Sequence, residues 1–513
     1  MKRIICTAIF SLAIFTSTAQ QTQSLMDRYF PAPENFTFTS PTLSLGDGGR
    51  FATREEIKAW IEGRIASDAR LSGSVIGTTT GGVEVPLLHL GTPGRNKVKV
   101  WFQGAIHGNE PGGAEGLFQL VDWILSSDEG AALLRNVDLY ILPIANPDGY
   151  LACTRVSADG YDLNRDQTKF ADPQSAVIKK AFIGVNPDLA VDFHEYNPFL
   201  VEPSLSAGSA KGWSMYYDVL FLPTGYLNVP EQLRSASAKF IRTPAEKALD
   251  DLGLRHSTYF TMEVKDGEPS LVLSAKSPRS SSTSYALSGA ISMLVEFRGI
   301  SLGRQCLERR TLSSFTVART ILEQADANCR EIKDIVRSAR RSTIKGRRDV
   351  TVIADSKLVR VPQQFINLDD EQLVTVDNIR GEEAAMCEPV LVRERPKAYI
   401  IEPGNDKAVS NLRTLGLDVK ELRRPRKFKV ESFEVLGCTD SPKLWEKITR
   451  RSVTTRTVRG KVRFPAGSFL VRLNQENADF AVSVLEPEGD NGFVYFRVLD
   501  AEPGCTLKVH RVI

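Results

Sequence analysis

Short apolar runs alternate with segments of helical period between about residues 45 and 345. The runs are VKVWF (99–102 at its core), DLYILPI (138–144), DLAVDF (188–193) and ISMLVEF (291–297). Helices are predicted over Gly113 to Ser126, Asp172 to Ile183, Pro230 to Asp251 and Gln305 to Arg341, with Pro111, Gly112 and Gly113 ending a loop and opening the first of them. Strands and helices in this order predict the α/β class, a mixed sheet flanked by helices. From Lys333 to Arg348 there are seven basic residues against one acidic, Asp334, which reads as a solvated helix end or linker. Beyond Asp349 the pattern changes to β-branched runs between Pro and Gly turns. Strands are expected at Val350–Ile353, Ala398–Ile401, Phe469–Leu473 and Val494–Val498, with a helix over Asp406–Leu415. This is the pattern of a smaller β-rich C-terminal domain.

Composition narrows the class. Of 513 residues, 42% are apolar and 25% charged, which excludes wholesale disorder and a coiled coil and leaves room for two or three domains. A formal charge of +3, from 65 basic and 62 acidic residues, gives no field for nucleic acid. At the N-terminus Lys2 and Arg3 precede the apolar run Ile4 to Phe15 and the small residues Thr16, Ser17, Thr18 and Ala19. That pattern predicts a secretory signal peptide cleaved near Ala19 or Gln20, and hence a periplasmic or extracellular protein. The run is shorter than the roughly 20 residues that span a bilayer, and nothing later is long and apolar enough, so no stable membrane span is expected after its removal. The expected organisation is a signal peptide at 1–20, a lead segment at 21–44, a catalytic domain at 45–348 and the β-rich domain at 349–513.

Six cysteines remain: Cys153, Cys306, Cys329, Cys387, Cys438 and Cys505, with no CxxC pair. Cys306 and Cys329 fall in what reads as one helix, roughly 34 Å apart at 1.5 Å per residue, too far to bridge. Buried free thiols are expected.

The strongest local chemistry is HGNE, His107 to Glu110, directly after an apolar strand. The C-terminal edge of such a sheet is where ligands bind, and an imidazole and a carboxylate are both zinc ligands. The chain has five histidines, His89, His107, His194, His256 and His510, and His194 ends its own strand, DLAVDFHEY, as His107 follows another. Two histidines and one glutamate leave a coordination position open for water, as zinc hydrolysis requires. Asp192 and Glu195 are either partners of these ligands or simple charges.

Further motifs are ANPDGY at 145–150, TRVSADGYDLNRD at 154–166 and LVEFRG at 294–299. With HGNE and VDFHE they stand in the order found in the zinc carboxypeptidases, the M14 metallocarboxypeptidases, and the sequence resembles that family across nearly all of residues 45–345. The resemblance implies a zinc-dependent carboxypeptidase acting on a peptide with a free C-terminal carboxylate, cell-wall stem peptides being one such class. It implies zinc on His107, Glu110 and His194, Glu296 as general base, Arg155 stabilising the oxyanion, and Asn164 and Arg165 holding the carboxylate. The family also has a mobile tyrosine upstream of its catalytic glutamate, for which Tyr285, 11 positions before Glu296, is the candidate. Arg279 stands where a specificity pocket could form, and a cation there suits an acidic side chain. The 84 positions from Glu110 to His194 are fewer than in digestive members, so the loops shaping the groove differ.

RPKAYIIEP at 395–403 and the stretch 465–489 look like the tail of bacterial exported members, and their Glu486 and Glu488 read as turn or interface charges. Two other readings are weighed. An amidohydrolase of the aspartoacylase and succinylglutamate desuccinylase type shares the ligands and a DLNR-type motif, but the signal peptide and NPDGY argue against it. A non-catalytic peptide- or glycan-binding module should have lost a ligand or the base, and all four residues are present. No protein partner is indicated.

Overall fold

The computed structural model describes residues 22–46, 49–346 and 348–513, so the expected signal peptide lies outside the described residues. Four apolar runs, each buried along most or all of its length, form the centre of an eight-stranded mixed sheet: Val137–Leu142, Val98–Gly104, Leu189–Tyr196 and Ile291–Arg298, adjacent in that order and all parallel. Leu71–Thr78 and Glu84–Leu90 extend one side antiparallel, and Val219–Leu222 and His256–Thr258 extend the other. Four parallel neighbours carry their C-terminal ends to one edge of the sheet. Helices Pro111–Ser126 and Leu307–Ala327 pack apolar faces near this centre, with Ala114, Leu117, Phe118, Val317 and Ile321 excluded from water.

Three expected elements differ in detail. The predicted helix over Pro230 to Asp251 is Glu231–Ser237 and Thr243–Asp251 joined by a wider turn at Ala238–Arg242, because Pro244 has no N–H to continue the ladder. The long helix over Gln305 to Arg341 is two, Leu307–Ala327 and Cys329–Lys345, parted at Asn328, whose side-chain amide donates to the Gln324 carbonyl at 3.0 Å. The expected strand Val494–Val498 is a buried turn-rich segment, since Arg497 adopts φ +58°, a left-handed conformation that ends an extended run. The six described cysteines are free, as expected, but none is fully buried.

A second six-stranded sheet crosses the division placed at 348/349. Val350–Asn367 and Gln372–Arg393 pair as a long hairpin, which joins Glu268–Leu273 on one side and Trp213–Met215 on the other. The division is therefore one of chain order and not of sheets. A third six-stranded sheet, antiparallel throughout, lies wholly beyond residue 393. The lead segment is fastened to the first sheet's cover: Ser40 and Thr42 hydroxyls donate to the buried Glu115 carboxylate at 2.6 and 2.7 Å. Among the described residues no helix is long and apolar enough to cross a membrane.

The second and third sheets meet through buried ions. Glu486 accepts from Arg393 at 2.8 Å, from Arg511 at 3.0 Å and from the Tyr399 hydroxyl, while Glu488 takes both outer nitrogens of Arg393 at 2.8 Å. Both glutamates are thus the interface charges the sequence implies. Removing Glu486 takes the acceptor from the buried Tyr399 hydroxyl and one of two carboxylates from each of Arg393 and Arg511, which keep Glu488 and Glu431, so Glu486→Ala is expected to lose about 1–3 kcal/mol of stability. Urea unfolding followed by near-ultraviolet circular dichroism reads this as a lower midpoint, and an unchanged midpoint would remove the network as a source of stability.

Candidate active site

The loop after Val98–Gly104 brings the first two candidate ligands to the sheet edge. The Glu110 amide donates to the His107 carbonyl at 3.2 Å, and Glu110 then caps the helix whose first residue is Pro111. A Cβ on Gly108 would lie 1.9 Å from the Gly149 carbonyl carbon and 2.2 Å from the Tyr150 nitrogen. Only glycine lets HGNE pack directly on NPDGY. Asn146 fixes the second loop, its Oδ1 accepting from the Gly149 amide at 3.0 Å.

Each imidazole is held by one nitrogen and offers the other. His107 Nε2 lies 3.0 Å from Asp162 Oδ1, and His194 Nε2 lies 2.8 Å from Asp192 Oδ2. A carboxylate accepts, so the proton belongs on Nε2 and the lone pair on Nδ1. The two Nδ1 atoms are 3.1 Å apart, and Glu110 reaches both, at 2.8 Å to His107 and 2.9 Å to His194. All three side chains are buried. Two lone pairs and a carboxylate turned on one another repel unless a proton or a metal cation joins them. With the ligand atoms within 4.8 Å of each other, this donor set fits zinc, and it is the one such group among the described residues. Burial alone would raise Glu110, but the two imidazoles hold it well below the usual carboxylate range. Burial alone would lower His194, yet Asp192 and Glu110 raise it well above its ordinary value.

Glu296 stands opposite His194 where Ile291–Arg298 pairs with Leu189–Tyr196. Its Oε2 is buried without a hydrogen-bond partner. Burial pushes its carboxyl up to about 7, with the charge of His194 pulling the other way. Next to it Gly299 leaves room for Glu195, where a Cβ would come 2.0 Å from Oε1. Glu195 is taken by Arg310 in a two-point contact at 2.6 and 2.8 Å, so it supports the site from behind and is not a ligand.

The remaining sequence candidates divide. Arg155, with 38% of its side chain exposed, donates to Asp162 at 2.9 Å and to Glu110 at 3.4 Å. Arg165 makes a side-chain bond to the Asn164 carbonyl at 3.2 Å and, among the described residues, no ion pair. Asn164 Oδ1 accepts from the Ser281 amide at 2.8 Å, and its Nδ2 lies 3.5 Å from His194 Nε2. Arg279 sits beside this group, its carbonyl accepting from the Gln167 amide at 3.2 Å. Tyr285 does not join them. It is wholly buried, stacked on Phe182 at 4.0 Å between centroids, and donates to Gln103 Oε1 at 2.7 Å. The reason is its place one turn beyond Ser281, whose hydroxyl donates to Asp192: on that helix face the next turn points into the core and away from the sheet edge.

Sequence reasoning missed Tyr259. Burial pushes its phenol up, and the charges acting on it are those of Glu296, Arg165, Arg155 and Glu110. It lies 37 positions before Glu296 with no motif around it, so no local signal marks it. Asp162 was within a quoted motif, and a carboxylate near a ligand histidine is the signal that could have assigned it. The loop from Ser441 to Arg450 was also unforeseen: the Asp162 amide donates to Glu446 Oε2 at 2.9 Å.

A family model described as zinc carboxypeptidase matches residues 57–197. Carboxypeptidase 2 of Trichophyton rubrum is 30% identical over 489 residues, 93% of this chain and 90% of that protein. Carboxypeptidase 2 of Trichophyton equinum is 31% identical over 422 residues, 82% of this chain and 77% of its own. Among solved structures, the metallo-carboxypeptidase from Burkholderia cenocepacia is 23% identical with a TM-score of 0.40, covering 54% of this chain and 70% of that one. Carboxypeptidase A from Helicoverpa armigera is 18% identical with a TM-score of 0.41, covering 59% and 80%. Because the likeness to the Trichophyton rubrum protein runs through nearly the whole length of both chains, the chain belongs to the zinc carboxypeptidase family and is a metallocarboxypeptidase with zinc as its cofactor.

Proposed function

We propose that the chain is an exported exopeptidase that hydrolyses the last bond of peptides with a free C-terminal carboxylate, cell-wall stem peptides among them, with Glu296 as general base. The observation that carries this reading is the Glu296 carboxyl, buried opposite His194, raised to about 7 and without a partner on Oε2. A buried carboxyl left unpaired is expensive unless it has a proton to move. His107, Glu110 and His194 would hold the zinc, which would supply Lewis-acid chemistry there, lowering the pKa of water toward about 7. Asp162 and Asp192 keep the two imidazoles turned with Nδ1 inward. Glu296 takes a proton from the attacking water and returns it to the departing amine, so the carboxylate is regenerated at the end of the cycle. Arg155, partly exposed beside Glu110, offers its charge to the developing oxyanion. Arg165, without an ion pair among the described residues, holds the terminal carboxylate with Asn164, whose Oδ1 is already engaged by Ser281 and which therefore uses Nδ2. Tyr259 takes the role of the substrate-facing phenol that Tyr285, closed in the core, cannot fill.

Export is checked by N-terminal sequencing of the mature protein, which is expected to start just after Ala19 or Gln20; an intact Met1 in the secreted fraction would count against it. His194→Ala is expected to lose tightly held zinc, since only two of three ligands remain. Elemental analysis that finds stoichiometric metal in this variant would remove the assignment. Arg165→Ala should weaken binding of free-ended peptides roughly 10–150-fold with zinc content unchanged, and C-terminal amidation should reproduce the loss in the parent protein. Equal turnover of free and amidated peptides would exclude exopeptidase action.

Glu296→Gln keeps shape and metal but cannot accept a proton, so kcat is expected to fall about 10²–10⁴-fold. The pH profile tests the same group. A base must be ionised, so activity rises with pH through its pKa, and because the charge of zinc favours the carboxylate, the acid limb should lie at or below about 7. A folded, zinc-loaded variant with near-normal turnover and the same acid limb would sink the role.

A further inference from the structure

Beside Arg155 and Arg165 lies a second group of cations that the mechanism does not use. Arg279 precedes helix Ser281–Leu287 in a turn stitched to the 164–167 segment at two points, through the Gln167 amide on its own carbonyl and the Ser281 amide on Asn164. Burial, and then the like charge of Arg165, pull Arg279 down to about 10, still a cation at neutral pH. The other walls come from the far C-terminal part of the chain. Arg279 Nη1 donates to Asn491 Oδ1 at 2.5 Å, and its guanidinium lies 4.8 Å from the centroid of Trp445. Arg450 stands 5.5 Å from the same centroid and donates to the Tyr495 hydroxyl at 3.3 Å.

The loop carrying Trp445 and Arg450 is tied to the site. Glu446 takes the Asp162 amide, and Lys447 lies 4.3 Å from the centroid of Tyr161 and donates to the Asp159 carbonyl. Among the described residues, Arg165, Arg279 and Arg450 make hydrogen bonds only to neutral groups. Arg279 and Arg450 each keep a buried Nε without a partner. Asp490 feels both charges, yet forms no ion pair with either.

Three cations gathered with no carboxylate bonded to any of them among the described residues repel one another, and each unpaired buried N–H has lost its water; an entering anion relieves both. We propose that this cluster receives the side chain of the released residue and selects peptides ending in glutamate or aspartate. The α-carboxylate lies on Arg165 and the side-chain carboxylate on the paired guanidinium groups of Arg279 and Arg450, held against Trp445. This rests on the exopeptidase reading and gives the C-terminal region a part in specificity. An apolar end leaves the Nε groups unpaired, and a basic end adds a fourth positive charge, so both are rejected by the site's own chemistry.

The test uses the full-length, zinc-loaded protein on matched peptides ending in Glu, Asp, Gln, Leu or Lys, each free and amidated. The expected result is kcat/KM for Glu above Gln by roughly 10–150-fold, with Lys lowest. Arg279→Gln and Arg450→Gln should each shrink the Glu-to-Gln ratio, with melting curves and zinc content recorded alongside. Should Arg279→Gln fail to fold, the parent panel and Arg450→Gln carry the test. Leu or Lys ends cleaved as fast as Glu would overturn the acidic pocket and leave the exopeptidase reading standing. Hydrolysis of amidated peptides, or of none, would overturn the exopeptidase reading itself. An unchanged ratio in both variants would remove these arginines from specificity.

Discussion

Two imidazole nitrogens and a carboxylate brought together out of water form the constraint that the surrounding structure serves. Such a group repels itself without a cation, and the sheet is arranged so that it cannot turn away. Asp162 and Asp192 fix the far side of each ring, Ser281 and Arg155 fix those carboxylates in turn, and the Glu195 amide holds Glu110 at 3.0 Å. Glu195 itself is locked by Arg310. Together with Glu296, the side chains around this point carry an excess of carboxyl groups over Arg155, the field that draws a divalent cation. Parallel neighbours are what make the gathering possible, because four strands that run the same way finish at one edge.

The same constraint explains the glycines of the motifs. Gly108 touches the Gly149–Tyr150 backbone, and Gly112 and Gly299 both face the Glu195 carboxylate, so the loops bearing the ligands are pressed against their supports without intervening side chains. Any larger residue would push His107 or Glu110 away from His194, and distances of about 3 Å at such a site leave little latitude.

Beyond residue 348 the chain is not an appendage. Its long hairpin completes a sheet begun by strands before the boundary, the ions of Glu486 and Glu488 clamp its later strands, and the loop from Ser441 to Arg450 returns to Asp162. Residues nearly three hundred positions from Asp162 thereby stand beside Arg165 and Arg279. Basic and aromatic residues in that loop read as ordinary surface positions in one dimension, because nothing local marks where a loop will land.

The alternating apolar runs and their ordered motifs were enough to name the central strands, the α/β class and the trio His107, Glu110 and His194, since buried strands need continuous apolar sequence and strand-end ligands must follow them directly. Helix breaks at Asn328 and Pro244 and the left-handed Arg497 depended on single-residue backbone chemistry that periodicity averages away. Tertiary structure alone decided that Tyr285 faces Gln103 in the core while Tyr259 lies among the site charges, because which way a turn points depends on what packs against it. It also decided that Asp162 serves His107 and that Trp445 and Arg450 reach the site. Those placements are set by contacts between segments far apart in the chain, and such contacts leave no trace in local pattern.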